Sequence, residues 1–284
     1  MSTAEEVTAG LDLFGTTAVI TGCNSGIGYE TMRVLALRGA HVIGTARTAE
    51  KAREACSSVI GKTSPAVLEL GDFGSARDCG REIHSMTEAI DMLILNAGVS
   101  LGRDLQQING IEKHFVINHL GHFIFAHHLI DRVIGARQGR VVVLGSRQHR
   151  NVPGGGIQFD NLSGEGWSAQ AYGHSKLANG LFSFELARRL KGTQATSNCV
   201  HPGVTRTNIL RSIPSKDLQG FTYDKSVQQG AATPCYVATN PTLATVSGEY
   251  FVDCKPAEQS QYQTDEAMAA RLWDVSTQLT GHYL

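Results

Sequence analysis

The sequence predicts an α/β fold, a doubly wound parallel sheet with helices on both faces, and three observations carry that expectation. Short runs rich in Val and Ile are apolar at successive positions instead of alternating, the pattern of strands buried on both faces. Longer stretches at helical spacing separate them, so strand and helix alternate along the chain. Glycine is plentiful at 31 residues and proline sparse at 7, which suits tight turns between regular elements. The strand runs are Ala18–Ile20, His41–Ile43, Ala66–Leu68, Met92–Leu95, Val141–Leu144, Asn198–Val200 and Glu249–Val252. The helical stretches are 26–38, 48–59, 75–89, 108–135, 170–191 and 224–239. Seven strands in the order 3-2-1-4-5-6-7 are expected, within one domain over residues 1–284. Residues 1–14 read as an N-terminal extension.

Composition narrows the function. The 284 residues carry 25 basic and 26 acidic side chains, a formal net charge of −1. No basic excess exists to bind nucleic acid or an anionic membrane surface. Six scattered cysteines, with no CxxC pair, read as free thiols. The acidic start lacks the features of a signal peptide, and no window of 18 apolar residues occurs, so no membrane span is expected. A soluble, cytoplasmic protein is the expectation. His114, His119, His122, His127 and His128 invite a metal reading, but no HExxH spacing or completing carboxylate accompanies them. No metal is predicted.

The first strand runs into Thr21-Gly22-Cys23-Asn24-Ser25-Gly26-Ile27-Gly28 and then a helix. Glycines let the backbone turn sharply and approach a pyrophosphate, whose charge the free N–H groups of a helix N-terminus stabilise. The spacing TGxxxGxG between a strand and a helix resembles the signature of the short-chain dehydrogenase/reductase family. Leu95-Asn96-Ala97-Gly98 is similar to that family's NNAG segment, with Leu in place of the first Asn. Tyr172-Gly173-His174-Ser175-Lys176 matches its YxxxK, and Val141–Ser146 matches the strand ending in its serine. His201-Pro202-Gly203-Val204-Thr205-Arg206-Thr207 resembles its PGxxxT segment. These motifs stand in the family's order over roughly residues 15 to 255. Within it, 110–123, 174–179, Gln229–Ala232 and Ser247–Phe251 resemble the retinol dehydrogenase and WW-domain oxidoreductase branch.

The resemblance implies a Rossmann-type fold and a nicotinamide dinucleotide held by Gly22, Asn24, Ser25, Gly26, Ile27, Gly28, Asn96, Ala97 and Gly98. Pro202, Gly203, Val204 and Thr207 then meet the nicotinamide. Glu69 and Leu70 stand near the adenine, with Glu69 where the family usually has Asp. An NAD enzyme needs a carboxylate at the end of the second strand for the ribose hydroxyls. Here Ala46 is followed by Arg47, so nothing repels a 2′-phosphate and a guanidinium is available to pair with it. NADP(H) is favoured over NAD(H).

Moving a hydride to a carbonyl leaves an oxygen that must be protonated. A tyrosine has a pKa about 10, and a cation one helical turn away favours its phenolate. Tyr172 is therefore the expected general acid/base and Lys176 its electrostatic partner. Ser146, at the C-terminal end of a strand, is placed to donate to the substrate oxygen. The resemblance makes Asn118 the fourth catalytic member, holding a water that connects Lys176 to solvent.

The longer spacing between Ser146 and Tyr172 places Ile157, Phe159 and Trp167 as an expected pocket wall. Segment 204–225, with Ile209, Leu210, Ile213, Leu218, Phe221 and Tyr223, is expected to close over a bulky apolar or aromatic carbonyl or alcohol. The family's commonest assembly, through helices 108–135 and 170–191, suggests a homodimer. Two rivals stand beside this oxidoreductase. One is a catalytically silent NADP(H)-sensing binding protein, which has no need of the Tyr172–Lys176 pair. The other is a sugar-nucleotide epimerase, which carries TGxxGxxG instead.

Overall fold

The computed structural model describes residues 1–210, 213 and 222–284. Its strands are β1 (Thr17–Ile20), β2 (His41–Ala46), β3 (Thr63–Val67), β4 (Met92–Leu95), a hairpin β5 (Gln107–Ile108) and β6 (Ile111–Glu112), β7 (Arg140–Leu144), β8 (Thr196–His201), β9 (Tyr250–Val252) and β10 (Lys255–Pro256). The main sheet runs β10-β9-β8-β7-β4-β1-β2-β3, with all but the β9–β10 pair parallel. The seven parallel strands take the expected order. The antiparallel edge strand β10 is an addition, produced by a tight turn at Asp253 and Cys254, both at positive φ. Every residue of β4, β7 and β8 is buried, as continuous apolar runs require.

The helices are α1 (Ala4–Val7), α2 (Gly26–Leu37), α3 (Ala49–Ser57), α4 (Phe73–Met86), α5 (Lys113–Phe115), a π turn at Val116–Leu120, α6 (Gly121–His127), α7 (Ile130–Gly135), α8 (Ala171–Arg189), α9 (Val227–Gly230), α10 (Ala232–Thr239) and α11 (Glu266–Thr280). Side-chain caps fix several starts. The Thr48 hydroxyl accepts from Lys51 N, the Asp72 carboxylate from Gly74 N and Ser75 N, and that of Asp265 from Met268 N.

The expected helix over 108–135 is corrected. Asn109 and Gly110 take positive φ and turn the β5–β6 hairpin. Glu112 then starts the helix by accepting from Phe115 N, and the chain breaks again at His128 and Leu129 between α6 and α7. Residues 1–14, expected as an extension, contain α1, whose Ala4 is buried in the main core with Val34 and Ala238. Two core layers flank the sheet. A third lies outside α8, where Leu177, Ala178 and Leu181 meet Ala269 and Leu272 of α11. On that side Trp273 stacks on Phe182 and meets Phe123 edge-on at 5.1 Å. Among the described residues, no helix is long and apolar enough to cross a membrane.

Candidate active site

A cleft of about 690 Å³ opens at the C-terminal ends of β1, β2, β4, β7 and β8, where open α/β sheets bind ligands. Its floor is the glycine turn. Gly22 takes φ 75°, and a Cβ there would lie 3.0 Å from that of Ala97. A Cβ on Gly28 would collide with the Gly22 carbonyl oxygen and Asn96 Nδ2. Asn96 Nδ2 donates to Thr21 O at 2.8 Å, while Asn96 N and Ala97 N both donate to Thr21 Oγ1 at 2.9 Å. The turn and the end of β4 thus form one unit with no room for side chains. Ser25 makes no side-chain cap to α2, leaving the first-turn N–H groups for an anion. Gly28→Ala, which drives a methyl into this joint, is expected to weaken nucleotide binding by about 100-fold or more. Fluorescence titration of the folded variant checks it.

All the expected nucleotide contacts line this cleft: Gly22, Asn24, Ser25, Gly26, Ile27, Gly28, Arg47, Glu69, Leu70, Asn96, Ala97, Gly98, Pro202, Gly203, Val204 and Thr207. Ala46 is buried at the end of β2, and Arg47 projects exposed beside it, with no ion pair among the described residues. The Glu69 carboxylate turns back on its own loop and accepts from Gly71 N at 3.1 Å. These groups suit a dinucleotide: a glycine turn in which a Cβ on Gly28 would clash, open helix N–H groups, and an exposed guanidinium at the far end.

Ser146, Tyr172 and Lys176 line the same cleft. Ser146 caps the 3₁₀ turn after β7, its Oγ accepting from Gln148 N at 3.2 Å. Burial pushes the phenol of Tyr172 up to about 12, and the Ser146 side chain beside it draws it down less strongly. Tyr172 is therefore a protonated phenol. The expected lowering by Lys176 is not what sets it, because the ammonium is engaged elsewhere. Lys176 Nζ lies 5.7 Å from the ring centroid and donates to Leu144 O at 2.9 Å. Burial pushes Lys176 down to about 8.

Asn118 does not line the cleft. It sits fully buried in the π turn, its Oδ1 accepting from Val99 N and its Nδ2 donating to Val99 O and Ser175 Oγ. Ser175 in turn donates to Tyr172 O. The expected wall is corrected as well. Ile157 and Trp167 are buried away from the cleft, Trp167 with its ring 3.9 Å from that of His174, and Arg271 covers Phe159. Gln148, Asn151 and Ala169 from the same insertion line the cleft instead, with Ile209, Leu210 and Ile213 opposite. Tyr223 is exposed, and Leu218 and Phe221 lie outside the described residues.

Sequence reasoning missed a buried pair behind Tyr172. His114 Nδ1 donates to Glu112 Oε1 at 2.7 Å, its Nε2 accepts from Leu101 N, and its ring meets that of Tyr172 edge-on at 6.0 Å. A two-residue spacing carries no helical or strand signal, and the pair meets only because Glu112 caps the short helix that carries His114. Lys225 was missed too. It runs beneath Gly203 and pairs with Asp253 at 2.5 Å. Among the described residues, no cluster of His, Cys, Asp or Glu could hold a metal.

Comparison with known proteins agrees with this geometry. Residues 16–218 match the short chain dehydrogenase family. Mouse retinol dehydrogenase 12 is 39% identical, the match covering 96% of this chain and 89% of that protein. The chloroplastic short-chain dehydrogenase TIC 32 B of Brassica napus is 37% identical, over 98% and 92%. A crystal structure of an uncharacterised Mycobacterium paratuberculosis protein superposes with TM-score 0.79 at 30% identity, covering 97% of each chain. An active-site complex of Pseudomonas aeruginosa RhlG with NADP superposes with TM-score 0.68 at 25% identity, over 84% and 94%. With the glycine turn, the serine, the tyrosine and the lysine gathered on one cleft, the chain belongs to the short-chain dehydrogenase/reductase family and is an oxidoreductase of carbonyl and alcohol groups.

Proposed function

We propose that the enzyme uses NADP(H) in preference to NAD(H) and interconverts the carbonyl and alcohol of a bulky apolar or aromatic substrate. The observation that carries the reading is the junction of the dinucleotide cradle with Ser146 and Tyr172 in one cleft. A nicotinamide dinucleotide held in this cleft would supply or take up the hydride. In reduction, the Ser146 hydroxyl donates to the substrate oxygen, and the Tyr172 phenol gives it a proton. Lys176 stabilises the phenolate left behind, and Asn118 holds the start of α8 through Ser175. Val99, Ile209, Leu210 and Ile213 offer the substrate an apolar surface.

Cofactor preference rests on Ala46 and Arg47. Ala46 offers no acceptor to a ribose hydroxyl, whereas Arg47 can pair with a 2′-phosphate for roughly 1.5–3 kcal/mol. NADPH is therefore expected to bind ~10- to 100-fold more tightly than NADH. Ala46→Asp should reverse the order, and Arg47→Ala should weaken NADPH far more than NADH, most strongly at low salt. Equal affinities in the parent protein would defeat this. Incubation with NADPH and a panel of hydrophobic carbonyls, followed by loss of absorbance, tests the activity. Nucleotide binding without turnover of any of them would favour the silent sensor.

For assembly we infer a monomer in place of the homodimer that the family pattern suggested. Trp273, Ala269 and Leu272 of α11 cover the outer faces of α6 and α8. A mass near 30.5 kDa that does not change with concentration is the expected result; a stable mass of twice that refutes it. A reducing, cytoplasmic setting accords with six free thiols, five of them buried.

A further inference from the structure

The catalytic groups and the glycine turn are joined by a histidine for which the proposed chemistry has no use. His122 is buried in α6, one helical turn after Asn118. Its Nδ1 lies 3.0 Å from Asn118 O, and its Nε2 lies 2.9 Å from Thr21 Oγ1. A carbonyl oxygen only accepts, so Nδ1 carries a proton. The Thr21 oxygen already accepts two backbone N–H groups, from Asn96 and Ala97. Both of its lone pairs are used, and its own proton points to the acceptor 2.9 Å away, an unprotonated Nε2. A doubly protonated ring would force a third donor onto that oxygen and bury a cation near Lys176. Burial disfavours the charged ring most, the bond to Asn118 O favours it, Lys176 disfavours it further, and its pKa falls to about 4.

The bonds therefore form a directed chain. The Asn96 and Ala97 amides donate to Thr21, Thr21 donates to His122, and His122 donates to Asn118. Each link lies on a different element: the end of β4, the glycine turn, α6 and the π turn. The π turn bears on this geometry, because Gly121 N bonds Val116 O five residues back and the helix widens where Asn118 sits.

We infer that His122 is a positioning residue for the nucleotide cleft, locked as the neutral Nδ1-protonated tautomer and tying the glycine turn to Asn118. This rests on the reading of the cleft as a nicotinamide dinucleotide site. The geometry assigns it no contact with substrate or reacting atoms. Its effect is to hold Thr21 so that the turn and the β4 end stay in register before ligand arrives.

The test combines spectroscopy with nucleotide titration. Imidazole ¹⁵N–¹H correlation of the parent protein, assigned by the signal lost in His122→Gln, should show Nδ1 protonated and Nε2 bare from pH 5.5 to 8.5. His122→Leu should weaken NADPH and NADH alike by about 10-fold, equivalent to ~1.4 kcal/mol. His122→Gln, whose amide can donate to Asn118 O and accept from Thr21, should recover most of that loss. Thr21→Val should weaken binding similarly, and adding it to His122→Leu should cost far less than the product of the two. An Nε2-protonated ring, multiplicative losses, or a folded His122→Leu protein binding as the parent does would each overturn the inference. If His122→Leu fails to fold, the parent tautomer and Thr21→Val titration still decide. A parent that binds neither nucleotide overturns the functional reading and this role together, whereas a parent that binds with Nε2 protonated overturns this role alone.

Discussion

Tyr172→Phe is expected to lower turnover by roughly 10²-fold or more while nucleotide affinity stays within a few-fold of the parent. The substitution keeps the ring, including its edge-on contact with His114, and removes the hydroxyl with its transferable proton. Burial holds that proton firmly, with the phenol near 12. The neutral form is thus the acid ready for carbonyl reduction, and alcohol oxidation must first bring the value down. The wild-type oxidation rate should therefore climb with pH further into the alkaline range than the reduction rate does. Stopped-flow measurement with saturating nucleotide separates the two directions. Activity of Tyr172→Phe within a few-fold of the parent removes Tyr172 from its role.

Lys176→Met should abolish most activity, again by about 10²-fold, and yet raise stability. Lys176 is 3% exposed, and the fall of its pKa from 10.5 to about 8 records what burying the ammonium costs. At ~1.4 kcal/mol for each tenfold, that cost is roughly 3 kcal/mol. Removing the charge would normally orphan its partner, but Leu144 O also accepts from Asn179 Nδ2 at 3.0 Å. A gain of about 1–3 kcal/mol is expected at pH 7. The sign with pH follows from linkage. Below pH 8 the lysine is charged both folded and unfolded, so the cost is present in full. Between about 8 and 10.5 the folded protein has shed a proton that the unfolded chain keeps, so the parent gains stability as pH rises. The advantage of the Met variant should accordingly shrink above pH 8. Urea unfolding at pH 7 and pH 9.5 checks this, and a variant less stable than the parent at pH 7 contradicts it.

The strands were legible because β1, β4, β7 and β8 are covered on both faces, which writes burial into every residue of the run. The glycine turn was legible because positive φ and close backbone approach admit few other residues. Helix α11 was not. Its buried positions Ala269, Leu272, Ser276 and Thr280 keep helical spacing, but two of the four are polar and blur the apolar stripe. Ser276 is there for His119, whose Nε2 lies 2.7 Å away, a match invisible in either segment alone. The break of 108–135 was hidden for a similar reason. Its apolar content stays high across the hairpin, the π turn and His128, whose Nε2 reaches Tyr283 O.

By itself the sequence determined the fold class, and its family motifs named the residues that line the nucleotide and catalytic cleft, Asn118 excepted. Those follow from local rules, namely burial periodicity, turn stereochemistry and motif spacing, and each is satisfied within a few neighbouring residues. Tertiary structure decided what depends on contacts between distant segments. It set which groups back Tyr172, where Lys176 donates, which side chains of the 147–171 insertion reach the cleft, and that α11 covers the outer face of α8. The protonation of Tyr172 belongs to this second group. Sequence spacing put a cation one turn away, but desolvation is a property of the whole surrounding fold, and it outweighs that neighbour.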